Sequence, residues 1–98
     1  MKFGDKLLPF DITYHPDVKQ RDIPKINGDI RLRIKRAIET RLLVSPQEYG
    51  EPLRKTLKGY WKLRVGDYRV VFKVDASEIL IFGLCHRTDV YARMEKRQ

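Results

Sequence analysis

The stretch Tyr60-Trp61-Lys62-Leu63-Arg64-Val65, Gly66-Asp67, Tyr68-Arg69-Val70-Val71-Phe72-Lys73-Val74 decides the fold. Side chains along a strand point to alternate faces, so Trp61, Leu63 and Val65 share one side while Lys62 and Arg64 share the other. A Gly-Asp pair between two such runs suits a two-residue turn, because glycine takes positive φ at little cost. Folding at that turn sets Val65 against Tyr68, Leu63 against Val70 and Trp61 against Phe72, three matched apolar pairs facing a core. The opposite side brings Arg64 across from Arg69, with Lys62 and Lys73 close by. Like charges directly opposite on a sheet destabilise it by roughly 0.2–1 kcal/mol. Either an anion seats between them or the long side chains splay into water.

Downstream, Asp75-Ala76-Ser77-Glu78 turns the chain into Ile79-Leu80-Ile81-Phe82-Gly83-Leu84-Cys85, a run apolar on both faces that belongs in the middle of a sheet covered on two sides. His86 and Arg87 stand at its exit, and Thr88 or Asp89 caps a short final helix carrying Val90, Tyr91 and Met94. This order predicts His86, Arg87 and Tyr91 at one rim of the sheet, near the basic face of the hairpin.

Upstream, Gln47 to Gly59 is an ordered loop anchored by Leu53 and Leu57. Before it, Ile30, Ile34, Ala37, Ile38 and Leu42 recur at spacings of three and four and predict a helix from about Ile30 to Val44. Asn27-Gly28-Asp29 starts that helix and Ser45-Pro46 ends it. Arg31, Arg33, Lys35, Arg36 and Arg41 fill its remaining arc, which tracks nucleic acid, receives an acidic partner or is simply solvated. Pro16 to about Ile26 predicts a shorter helix with Asp17 at its positive end, apolar contacts from Val18 and Ile26, and an interruption at Pro24. Leu7 to Tyr14 alternates Leu8, Phe10, Ile12 and Tyr14 as a first strand, with Pro9 near its start or at an edge.

The chain of 98 residues, 42% hydrophobic, is sized for one domain spanning 1–98 with one core. No stretch approaches the roughly 20 apolar residues needed to cross a bilayer. Met1-Lys2-Phe3-Gly4-Asp5-Lys6 is too polar for a secretory signal, so no membrane partner is expected. The lone Cys85 has no intramolecular partner, which fits a reducing cytoplasm. Lys plus Arg number 21 against 13 Asp plus Glu, a net charge of +8, favouring partners rich in phosphate or acidic side chains. Two histidines and one cysteine without ligand spacing, and no aspartate cluster, predict neither metal nor cofactor.

Gly-Asp-Tyr-Arg-Val-Val-Phe in the hairpin, His-Arg-Thr-Asp-Val-Tyr after the last strand, and Gly50-Glu51-Pro52-Leu53 followed by Leu57-Lys58-Gly59-Tyr60-Trp61-Lys62-Leu63-Arg64 together resemble the RelE/ParE superfamily. The resemblance runs from Tyr14-His15-Pro16 to Tyr91. It implies an α+β fold: an antiparallel-rich twisted sheet of about four strands, two N-terminal helices on one face and a short C-terminal helix. It also implies a toxin of a type II toxin–antitoxin pair, neutralised by a cognate antitoxin, with operator DNA bound only by the toxin–antitoxin complex. RelE-like members cut mRNA in the ribosomal A site and ParE-like members poison DNA gyrase; a non-catalytic nucleic-acid-binding relative is a third form.

Basic hairpin residues together with an Arg and a Tyr near the C-terminus favour the RelE side, an mRNA endoribonuclease. The positions matching or near that pattern are Lys62, Arg64, Arg69, Arg87 and Tyr91, with Lys58 and Lys73 added as nucleic-acid-binding residues. Arg64 replaces a family lysine, keeping charge but changing geometry. Glu51 stands where YoeB relatives carry a catalytic glutamate before Pro-Leu, and His86 lies near their functional histidine. Metal-independent cleavage by a ribose 2′-hydroxyl needs a proton acceptor, a stabiliser of phosphoryl charge and a donor to the departing oxygen. Arg64 and Arg69 fit the second role, and Lys62 or Glu51 the first. Tyr91 stacks on a base or orients the sugar, and Arg87 assists phosphate binding or departure. His86 has a structural reading beside its titrating one, and Tyr91 has one as a core ring.

Overall fold

The computed structural model describes residues 10–98. Five strands, β1 (Asp11–Tyr14), β2 (Glu51–Pro52), β3 (Trp61–Val65), β4 (Tyr68–Asp75) and β5 (Glu78–His86), form one sheet in the order β1-β5-β4-β3-β2. Only β1 runs parallel to its neighbour; the other pairs are antiparallel. The hairpin has the register its alternation dictates, with Val65 opposite Tyr68, Leu63 opposite Val70, Trp61 opposite Phe72 and Arg64 opposite Arg69. Gly66 opens the turn at φ +59°, a conformation that favours glycine. The strand beyond the expected four is β2, two residues of the predicted loop, where Pro52 is tolerated because the strand is an edge. Leu7, Leu8 and Pro9, expected in the first strand, lie outside the described residues.

α1 (Gly28–Ala37) is capped by Asn27, whose Oδ1 accepts a hydrogen bond from the Asp29 amide at 2.8 Å. It continues through a wide turn, Ile38–Leu42, and is followed by the single turn α2 (Pro46–Tyr49). The expected first helix is a wide turn, Val18–Asp22, then a tight one, Ile23–Lys25; the winding changes at Ile23, just before Pro24, which has no amide to donate to a continuing helix. Val18, Ile26, Ile34, Ala37, Ile38 and Leu42 from these segments are buried against Leu63, Val65, Val70, Phe72, Ile79, Ile81 and Leu84 of the sheet.

A second apolar cluster replaces the single core expected from length. Leu53, Leu57, Val71, Phe82, Cys85, Val90 and Met94 bury one another on the opposite face, under α3 (Val90–Arg97). A bulge makes this possible. Val71 pairs with Gly83 but Phe72 pairs with Ile81, so Phe82 is the extra residue and β5 feeds both clusters. Gly83 leaves room for Met94: a Cβ there would stand 2.6 Å from Met94 Cε.

Beyond Ile81, β1 no longer covers the edge of β5. Asp22, only 1% exposed, takes over that role: its Oδ2 accepts from the Leu84 amide at 2.9 Å. Arg97 of α3 donates to both Asp22 oxygens, at 2.7 and 2.8 Å, and to the Phe82 carbonyl at 3.1 Å. The bidentate hydrogen bond to Asp22 raises the pKa of Arg97. One buried carboxylate thus ties the first helical turn, the bulged strand and the last helix together. Among the described residues no helix is long and apolar enough to cross a membrane.

Candidate active site

β2 is what turns a loop into a site. Pairing of Glu51 with Lys62 across β2 and β3 places Glu51 Oε1 4.0 Å from Lys62 Nζ. The approach needs Gly50, where a Cβ would stand 2.6 Å from Phe72 Cζ and 2.9 Å from the Pro46 carbonyl. Leu53 and Leu57 then bury the inner side of the segment, and Thr56 hydrogen-bonds to Glu95 of α3. The first turn of α3 brings in Tyr91, whose hydroxyl oxygen accepts from the Arg54 amide at 2.9 Å. Glu51, Pro52, Leu53, Arg54, Lys62 and Tyr91 line a cleft of 440 Å³. A carboxylate that accepts, an ammonium and guanidinium that donate, and a phenol whose own proton remains free to donate all open onto it.

The other predicted residues divide into separate groups. Arg64 and Arg69 are opposite one another in register, yet their guanidiniums do not form the expected shared phosphate seat. Arg69 Nη1 folds onto the hairpin turn and donates to the carbonyls of Gly66 and Tyr68 at 3.0 and 2.9 Å. Arg64 lines a different concavity with Arg33, Arg36 and Arg41. Repulsion between like charges drives them apart, and backbone carbonyls reward one of them for turning away. Arg87 is held at the same turn, its amide donating to the Asp67 carbonyl at 2.8 Å and its Nε 3.8 Å from Asp67 Oδ1. Lys73 Nζ sits 4.9 Å above the Tyr60 ring, a cation–π contact, and Lys58 is exposed after the Lys55–Leu57 turn.

His86 does not join Tyr91 at one rim. It pairs with Tyr68, makes an edge-on ring contact with it at 5.7 Å, and so follows the face covered by α1 rather than the α3-covered face of Lys62. Its Nδ1 accepts from the Thr88 amide at 3.3 Å and lies 2.9 Å from Thr88 Oγ1, contacts that shape the turn into α3. Arg54 is the member of the cleft that sequence reasoning missed; its signal was the alternation beside buried Leu53. Cys85 is no nucleophile: burial, with Asp22 adding to it, pushes its thiol up to about 11. Among the described residues no group of three or more His, Cys, Asp or Glu could hold a metal ion.

The family model of the ParE toxin of type II toxin–antitoxin systems, parDE, matches residues 12–91, from β1 to Tyr91. The chain belongs to this toxin family. Toxin RelG of Mycobacterium tuberculosis is 27% identical over 88 residues, 88% of this chain and all of the relative. Toxin RelE of the same organism is 36% identical over 68 residues, covering 66% of this chain and 70% of the relative. Among solved structures, the toxin–antitoxin complex RelBE2 from M. tuberculosis contains a chain with 26% identity and a TM-score of 0.74, covering 87% of this toxin and 99% of that chain. The α+β fold with its mixed sheet is the RelE-like toxin fold, and the cleft of Glu51, Lys62 and Tyr91 lies within the matched span.

Proposed function

We propose that this toxin is a metal-independent endoribonuclease that cuts mRNA on the ribosome in the RelE-like manner. The observation that carries the reading is the convergence of Glu51, Lys62, Arg54 and Tyr91 on one open cleft. Of the two candidate acceptors, Glu51 takes the role, since a carboxylate accepts through both of its oxygens. Glu51 removes the proton from a ribose 2′-hydroxyl and the oxygen attacks the adjacent phosphorus. Lys62 and Arg54 meet the charge that grows on the non-bridging oxygens. The bond to the 5′-oxygen breaks, that oxygen takes a proton from Tyr91, and the products are a 2′,3′-cyclic phosphate and a 5′-hydroxyl. Arg69 and Arg87 at the hairpin turn, with Lys58 and Lys73, contact neighbouring phosphates of the message.

Adding the purified toxin to a translating extract and mapping mRNA ends tests this: new ends are expected, and intact message at doses that stop synthesis would reject it. The ParE description of the matching family model favours a second reading, inhibition of DNA gyrase without chemistry, which predicts stalled supercoiling and whole message.

Relatives from M. tuberculosis and Methanococcus jannaschii occur in structures of toxin–antitoxin complexes, which supports a cognate antitoxin for this chain. We further propose that the pair, in the cytoplasm, is the form that binds operator DNA. The antitoxin docks an acidic amphipathic segment in the groove floored by Ile23, Ile34, Ile38 and Leu84. Lys19, Arg31 and Lys35 stand at its rim.

A further inference from the structure

Four arginines surround a second concavity, of 250 Å³, on the other flank of α1. Arg33 and Arg36 come from α1, Arg41 from the wide turn that follows, and Arg64 from β3. Thr40, Ala37, Val65 and Gly66 complete the lining. The Arg33 guanidinium lies against the hairpin turn, its nitrogens 3.3 and 3.4 Å from where a Cβ on Gly66 would stand, so the glycine that makes the turn also admits this side chain. None of the four guanidiniums has an ion-pair partner among the described residues, whereas Arg69, Arg87, Arg93 and Arg97 all have hydrogen-bond or carboxylate partners. Four arginines lining one concavity, with no carboxylate paired to them among the described residues, make a region of positive potential that favours a bound polyanion.

We infer that this arginine cradle binds the phosphodiester backbone of RNA, as a docking site separate from the cleavage cleft. Guanidinium forks match phosphate oxygens in pairs. The small and polar lining offers no slot for the apolar side chains of an amphipathic peptide, while the opposite flank of α1, with Ile34 and Ile38 at its floor, does. One helix therefore carries two differently built surfaces: Arg31 and Lys35 border the protein-binding groove, and Arg33 and Arg36 border the phosphate cradle. The inference takes RNA as its ligand from the proposed function but does not need the RNA to be cut.

The test is fluorescence anisotropy of a 2′-O-methyl RNA hairpin, which cannot be cleaved, over a salt series. Two double variants remove equal charge from the two flanks: Arg33→Gln/Arg36→Gln and Arg31→Gln/Lys35→Gln. The first is expected to bind about tenfold more weakly, with the slope of log affinity against log salt shallower by about one to two. The second should stay near the parent, and the Arg41→Gln single variant should show about half the slope change if the first double variant melts early. Equal losses on both flanks, no loss on either, or loss of poly-glutamate binding in place of RNA binding would overturn the cradle. Because the probe cannot be cut, failure here is distinct from failure of the nuclease reading, which end mapping on ordinary message decides.

Discussion

Tyr91 is 39% exposed and meets the Arg54 amide through its hydroxyl, the same group to which the proposed chemistry assigns proton donation. Replacing Tyr91 by Phe removes the acceptor of the Arg54 amide and the proton donor facing the cleft. Since Arg54 is exposed and water can replace the lost partner, stability should change by no more than about 1 kcal/mol. Cleavage should fall about a hundredfold, read as a single-turnover rate beside a thermal melt. Cys85 gives a residue-scale prediction about pH. Its thiol is raised in the fold from 9.0 to about 11, so above pH about 9 the unfolded chain loses the proton first. Stability is therefore fully present below that pH and falls on the order of 2 kcal/mol as pH rises to about 11. In urea titrations Cys85→Ala should lack that component of the alkaline decline. Glu51, Lys62 and Tyr91 were singled out from residue type and resemblance, and the structure places all three around one cleft. The fates of Arg64 and Arg69 were not, because a strand register fixes the direction of Cβ and leaves the end of a long flexible stem to local acceptors.

At the scale of elements, the buried charge pair of Asp22 and Arg97 is the tie between α3 and the first helical turn. Asp22→Ala would remove the bidentate partner of Arg97, whose side chain is 5% exposed, leaving it Asp17 at 3.4 Å and the Phe82 carbonyl, and would leave the Leu84 amide without its carboxylate acceptor. A loss of about 3–5 kcal/mol in chemical denaturation is expected, with amide exchange in α3 rising before that of the β3–β4 hairpin. A loss under about 1 kcal/mol would contradict the tie. The hairpin was legible because alternation and turn chemistry agree, and the α1 core stripe because its spacing is helical. Asp22 was not, since a lone acidic residue in a polar run carries no mark of burial, and its partners lie more than sixty residues away. The second apolar cluster was half legible: β5 reads as apolar on both faces, but the bulge at Phe82 that serves both faces leaves no local signal.

At the scale of the molecule, a sheet clad on both faces leaves function to its edges and to the helix that overlies it. The β2 edge carries the cleft, and α1 carries the apolar groove proposed for the antitoxin on one flank and the arginine-lined concavity on the other. Charge reversal in Arg31→Glu/Lys35→Glu should weaken the antitoxin complex at least tenfold by calorimetry, with message cleavage by the free toxin preserved. A complex of unchanged affinity would place the antitoxin elsewhere. The net charge of +8 points to polyanionic partners without saying where they bind, and the packing of α1 on the sheet divides part of that charge between two surfaces.

The most direct test of the account is the chemistry of the cut: ribosome-bound message is mixed with excess toxin or its Glu51→Gln variant, and the RNA ends are identified by mass. The account predicts a 2′,3′-cyclic phosphate and a 5′-hydroxyl with the parent toxin, no cut where a 2′-deoxy nucleotide stands at the scissile position, and a rate lowered about 10²–10⁴-fold by Glu51→Gln. A message left whole, or cut as fast by the Glu51→Gln variant as by the parent, would contradict it.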